Sequence, residues 1–160
     1  MKNIIIILTT LFLLFSCSKQ LDSTKENEDI LRVFDEQSQC YKDMDANSLL
    51  NLYINDSTTI AAGPIPNLVV KGWKNIKNIF EEDFKNYKIL DYSYSNPQII
   101  IDGDKAWAIV EITSIMIINI QGQDTKMQAN FRQVAILKKI DNQWKFALTN
   151  MQNFGVTPVL

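Results

Sequence analysis

The chain has 160 residues, a formal charge of −2, 46% hydrophobic and 21% charged side chains, which is the make-up of one globular domain rather than a disordered segment or a multi-span membrane protein. It contains no histidine, which excludes Ser-His-Asp and Cys-His triads and removes the commonest metal ligand. Its 16 basic residues are scattered apart from Lys138-Lys139, so the clustered cations that displace counterions from nucleic acid are missing, and no nucleic-acid partner is expected.

The first element is an address. Lys2 precedes an almost purely apolar run from Ile4 to Phe15, and that run falls short of the ~20 residues a bilayer span needs. The pattern predicts a signal peptide over residues 1–16, cleaved before Cys17. Leu14-Phe15-Ser16-Cys17 resembles the bacterial lipobox, which implies lipidation of Cys17, a firm hold on a membrane through several acyl chains, and a place in the cell envelope of a bacterium, at the outer rather than the inner membrane. Cys40 is then left without a partner in the chain and reads as a small buried apolar residue. Residues 17–27, rich in Lys, Glu, Asp, Ser and Gln, read as a flexible tether to a domain over 28–153, followed by a tail over 154–160.

Within the domain, Ile30, Leu31, Phe34, Tyr41 and Met44 share one helical face and predict a long first helix from Glu28 to Met44. Asn47 is placed to cap a short second helix, Ser48 to Ile54, and Ser57 to Ala61 reads as a short strand before a Gly63-to-Asn67 loop. Gly72 marks the entry of a third helix, in which Trp73, Ile76, Ile79, Phe80 and Phe84 face one way and which runs to about Asn86. Everything after Ile89 reads as strand: Ile89–Ser95, Gln98–Ile101, Lys105–Ile120, Thr125–Leu137 and Trp144–Met151, punctuated by Asp102-Gly103-Asp104, Gln121-Gly122-Gln123-Asp124 and Ile140-Asp141-Asn142-Gln143. Helices first and a meander second predict an α+β domain. Both alternating faces of the Lys105–Ile120 strand are apolar, so both are expected to be covered, by helices and by a second subunit or a curled sheet.

The order helix, short helix, strand, loop ending in Val70-Lys71-Gly72, helix, meander resembles the nuclear-transport-factor-two-like superfamily, in its SnoaL-like, polyketide-cyclase-type branch. The residues that carry the resemblance are Asp45, the run Leu49 to Ser57, Gly72, Gly103-Asp104-Lys105-Ala106, Arg132 and Asp141 to Lys145. It implies a cone, with about three N-terminal helices packed in the mouth of a strongly curved antiparallel sheet around a cavity. In that superfamily the cone hosts isomerases, dehydratases, epoxide hydrolases and cyclases as well as proteins that only bind. Where ketosteroid-isomerase-like members carry a base aspartate, this chain has Ala61 and Ala62, and where they use a first-helix tyrosine it has Gln37. The histidine that many SnoaL-like members carry in the last strand is Asn150 here, which hydrogen-bonds but cannot shuttle a proton.

If the Ile120–Thr125 turn is tight, Thr113 faces Arg132 and Glu111 lies diagonal to it on the same face. The candidate ligand-binding residues are Arg132, which would orient an anionic or carbonyl group, Glu111, which would hold its guanidinium, and Asn150, Trp73, Tyr53 and Trp107. Glu111, set in an apolar strand, is the acid whose proton affinity the environment is expected to perturb and the weak candidate for a catalytic base. No metal and no cofactor are expected. The leading reading is a non-catalytic module for a small apolar or weakly anionic ligand, or for homodimeric assembly. The alternatives are an isomerase, dehydratase or cyclase using Glu111, and a module for a protein partner.

Overall fold

The computed structural model describes residues 23–65 and 67–159, so the expected signal peptide, Cys17 and the first part of the expected tether lie outside the described residues. Helix α1 (Ser23–Asp43) is followed by α2 (Ala46–Asn51), β1 (Ile60–Ala62), β2 (Val69–Lys71), α3 (Trp73–Asn86) and four long strands, β3 (Tyr87–Asp102), β4 (Lys105–Ile120), β5 (Gln123–Ile140) and β6 (Gln143–Pro158). The strands form one sheet in the order β2-β1-β6-β5-β4-β3, antiparallel throughout except where β1 runs parallel to β6. This is the expected α+β order of helices followed by a meander.

Several boundaries differ from the sequence reading. The first helix begins at Ser23 instead of Glu28, because the Glu26 carboxylate, 6% exposed, is held by Lys139 Nζ at 2.7 Å and Trp144 Nε1 at 2.8 Å, so residues 23–27 are helix rather than tether. The second helix is shorter and is capped by Asp45 rather than Asn47, since Asp45 Oδ1 accepts the backbone N–H groups of Asn47 and Ser48. Its expected last turn instead pairs with β6, through Ile54 N to Phe146 O and Phe146 N to Leu52 O. The two expected strands before Asp102 are one, β3, interrupted by a register shift between Ser95 and Gln98 where Asn96 takes φ 51° and Pro97 cannot donate to the ladder. Strand β6 runs to Pro158 and takes up most of the expected tail. It passes Asn150, where β1 ends, and among the described residues nothing pairs with its far edge beyond that point.

Strand alternation decides what the two sheet faces meet. On β4, Ala106, Ala108, Val110, Ile112 and Ser114 are buried under the helices, while Trp107, Ile109 and Glu111 are exposed on the other face. Phe34 from α1 fits between Tyr94 of β3 and Phe146 of β6 at ring separations of 5.6 and 5.5 Å. Leu49 and Leu50 of α2 are fully buried beside them, each contributing about 1.5–3 kcal/mol of apolar burial. Register shifts at Ser95/Gln98, Asn130/Phe131 and Ile136/Leu137 bend the sheet around this core.

Candidate functional site

At the end of the cone away from Glu26, α1, α3, the β1–β2 hairpin and β6 enclose a pocket of about 70 Å3. Its walls are apolar and aromatic, from Tyr41, Tyr53, Val70, Ile76, Ile79 and Phe80, with Asp83 and Thr149 supplying polar atoms. Helical spacing puts them there: Ile76, Ile79, Phe80 and Asp83 stand at i, i+3, i+4 and i+7 on the inner stripe of α3. Two larger depressions, of about 600 Å3 between α1, α2 and the β5–β6 turn and about 540 Å3 beside Asn150–Phe154, are open to solvent.

The polar groups of the enclosed pocket differ in how well they are satisfied. The Tyr53 hydroxyl lies 3.1 Å from Thr149 Oγ1, and burial pushes its acidity out to a pKa of about 12. Tyr41 stacks on Tyr92 at 4.2 Å, and burial followed by the neighbouring Tyr92 and Tyr53 carries it well above the ordinary phenol value. Burial and then the charge of Glu82 raise Asp83 to about 6, and among the described residues no hydrogen bond or ion pair reaches its carboxylate. Deeper in the core, Gln37 Nε2 donates to Gln133 Oε1 at 3.2 Å, while Gln133 Nε2, the Tyr92 hydroxyl and Ser38 Oγ are buried without a protein partner.

Of the six residues singled out from the sequence as ligand-binding, this pocket includes Tyr53 alone. Arg132 and Glu111 are exposed on the opposite face of the sheet. They are direct cross-strand partners instead of diagonal ones, because the β4–β5 turn consists of Gln121 and Gly122 only, which moves the register by two residues. Their ion pair is long, at 3.9 Å, Asn96 Nδ2 donates to Glu111 Oε2 at 2.7 Å, and the Arg132 guanidinium lies 4.6 Å above the Phe154 ring. Glu111 is half exposed on this outer face rather than set inside the core. Trp107, 41% exposed, and Asn150, paired across the ladder with Val134, share that outer face, and Trp73 packs against the core at the start of α3. Among the described residues no group of His, Cys, Asp or Glu side chains is arranged to hold a metal ion, and no helix is long and apolar enough to cross a membrane.

Sequence reasoning noted Gln37 only as standing in place of a tyrosine and missed Tyr41 as a lining group, Asp83, Thr149 and Gln133, although for Asp83 and the Gln37–Gln133 pair a signal was available. Each polar one interrupts an apolar stripe: Asp83 follows Ile76, Ile79 and Phe80, Gln37 follows Ile30, Val33 and Phe34, and Gln133 sits between Phe131 and Ala135 at strand spacing. A polar side chain on the inward face must find a partner or a cavity.

A family model for the SnoaL-like domain matches residues 30–149. No curated protein matches the chain. Among solved structures, a putative scytalone dehydratase from Novosphingobium aromaticivorans is similar at 18% identity and a TM-score of 0.71, covering 86% of this chain and 90% of that one. A type 2 hexachlorocyclohexane dehydrochlorinase is similar at 15% identity and 0.74, covering 89% and 94%. A ketosteroid isomerase-like protein from Erwinia carotovora atroseptica is similar at 15% identity and 0.69, covering 80% and 95%. At these identities the likeness is one of fold.

Proposed function

The chain belongs to the SnoaL-like domain family, and we propose that it is an envelope lipoprotein, anchored through Cys17, whose cone binds a small molecule without transforming it. The observation that carries the binding reading is a pocket lined, among the described residues, by a single carboxylate with no partner for proton transfer. Its two phenols are too weakly acidic to exchange protons near neutrality, with burial pushing Tyr53 up to about 12 and holding Tyr41 well above the ordinary phenol value. Native mass spectrometry of the full chain extracted from its own membranes tests this. The expected result is an adduct of defined mass that is lost in Asp83→Asn, whereas an empty wild-type spectrum overturns the reading.

A second reading is supported by Asp83 itself. Raised to about 6, it lies in the range of a general base, and the structural neighbours named as a dehydratase and a dehydrochlorinase suggest an elimination. Under it, Asp83 takes the place earlier assigned to Glu111, and Asp83→Asn abolishes turnover while leaving the product bound.

The anchor is tested separately by metabolic labelling with radioactive palmitate, which Cys17→Ala is expected to lose together with membrane association. The outer sheet face, with Ile100 69%, Trp107 41%, Ile109 40% and Phe154 58% exposed, supports assembly with a second copy of the chain. Sedimentation is expected to show a dimer that Trp107→Glu converts to a monomer, and a wild-type monomer removes that part of the proposal.

A further inference from the structure

Resting on the reading that the enclosed pocket binds a small ligand, we infer that the ligand presents a cationic head, an aliphatic ammonium group seated between the Asp83 carboxylate and the rings of Tyr41, Tyr53 and Phe80. Four observations converge on this. Among the described residues that line the pocket, Asp83 is the one side chain that is mostly charged near neutrality, and the charge is negative, so an anion would meet repulsion there. The guanidinium that could have received an anion, Arg132, faces solvent on the other side of the sheet. No protein group pairs with the Asp83 carboxylate among the described residues, so the cost of bringing it partly out of water is not offset internally.

The rings supply the rest. Tyr53 and Phe80 lie 5.4 Å apart, and Tyr41 lines the same space, so three aromatic groups border one carboxylate. Aromatic faces carry negative potential and attract ammonium groups, the more so where water is excluded. The volume, about 70 Å3, is roughly half that of a cavity that accepts benzene and suits a head of about three or four heavy atoms. Thr149 Oγ1, hydrogen-bonded to Tyr53, offers a further acceptor for an N–H group.

The groups that face Asp83 from neighbouring elements are Tyr41 of α1 and Tyr87 at the start of β3, with Glu82 beside it on α3; Tyr53 stands across the pocket. The tyrosines stay protonated throughout mildly acidic and neutral pH. An ammonium ligand, which stays charged over the same range, should therefore bind at pH 7.5 and weaken about tenfold at pH 5, where Asp83 is mostly protonated.

The experiment compares ethylammonium, ethanol and acetate, three probes that share a two-carbon skeleton of three or four heavy atoms and differ in charge, by ligand-observed NMR with the full chain at both pH values. The expected result is saturable ethylammonium binding at pH 7.5, the tenfold loss at pH 5, and loss of both the binding and the pH step in Asp83→Asn. Ethanol or acetate binding as well as ethylammonium overturns the cationic assignment and leaves the pocket reading standing. Ethylammonium binding that persists in Asp83→Asn overturns the role of the carboxylate. Failure of all three probes overturns the inference together with the pocket reading it rests on.

Discussion

Glu26 and Asp83 are both carboxylates withdrawn from water at opposite ends of the cone, and their surroundings act on them in opposite directions. Glu26 receives the Lys139 ammonium and the Trp144 N–H, and the hydrogen bond from Lys139 holds its pKa below the ordinary 4.5. Among the described residues nothing pairs with the Asp83 carboxylate, and burial holds it up at about 6 against an ordinary 3.8. Glu26 and Tyr41 are 15 positions apart on α1, about 22 Å of helix, so the two sites do not share a partner. The satisfied carboxylate fastens the start of the first helix to the β5–β6 hairpin, and the unsatisfied one lies where a ligand would enter the account of charges. A carboxylate with its partners built in stabilises the fold, whereas one left bare keeps an interaction in reserve.

The comparison is broken most severely at its satisfied end. Glu26→Ala leaves the Lys139 ammonium and the Trp144 N–H unpaired just beneath the surface, and is expected to cost about 2–3 kcal/mol in urea unfolding at pH 7. Because the native pKa is depressed, that contribution is present above about pH 4.5 and is lost as the pH falls through the native value, so the gap between variant and wild type should narrow at pH 3. Asp83→Asn has the opposite sign. A raised native pKa means stability that is fully present below pH 3.8 and lost as the pH rises through about 6, so the variant should be more stable than wild type by about 1–2 kcal/mol at pH 8 and equal to it near pH 3.5. Those figures are reduced for the partial contact of Asp83 with water.

Two smaller measurements sharpen the contrast. Tyr53→Phe removes the hydroxyl next to Thr149 and is expected to cost about 1 kcal/mol, seen as a shift of the urea midpoint without a change of slope. In the Glu26→Ala, Asp83→Asn double variant the two effects should add to within about 0.5 kcal/mol, and a larger discrepancy would mean that the two ends of the cone communicate.

How much of this was legible in the sequence depended on whether the signal was local. Helix α3 starts and ends where its apolar stripe and Gly72 placed it, and β4 runs over the expected Lys105–Ile120, because periodicity and turn residues mark both. The start of α1 was hidden because Ser23 to Asn27 is polar in composition, and the contacts that order Glu26 come from residues more than a hundred positions away. The sheet face was undecidable by pattern, since β4 is apolar on both sides, and this is why Arg132 and Glu111 were read as ligand-binding candidates although they lie on the exposed face. The pocket was readable in principle, from polar residues on apolar stripes, but an aspartate on an otherwise well-formed helical stripe is easily taken for part of the solvated face.

The length of β6 has a consequence for how copies of this protein meet in a crowded compartment. From Met151 to Pro158 the strand has, among the described residues, a neighbour on one side only, which leaves a row of backbone donors and acceptors available to any extended chain that drifts alongside. Phe154 and Val156 make that margin sticky, while Gln152, Asn153, the register shift opposite Asn130 and the closing Pro158 work against flat, extended stacking. Colloidal behaviour at high concentration should therefore be governed by this margin, and replacing Phe154 with lysine is the substitution with which to suppress self-templating without touching the interior.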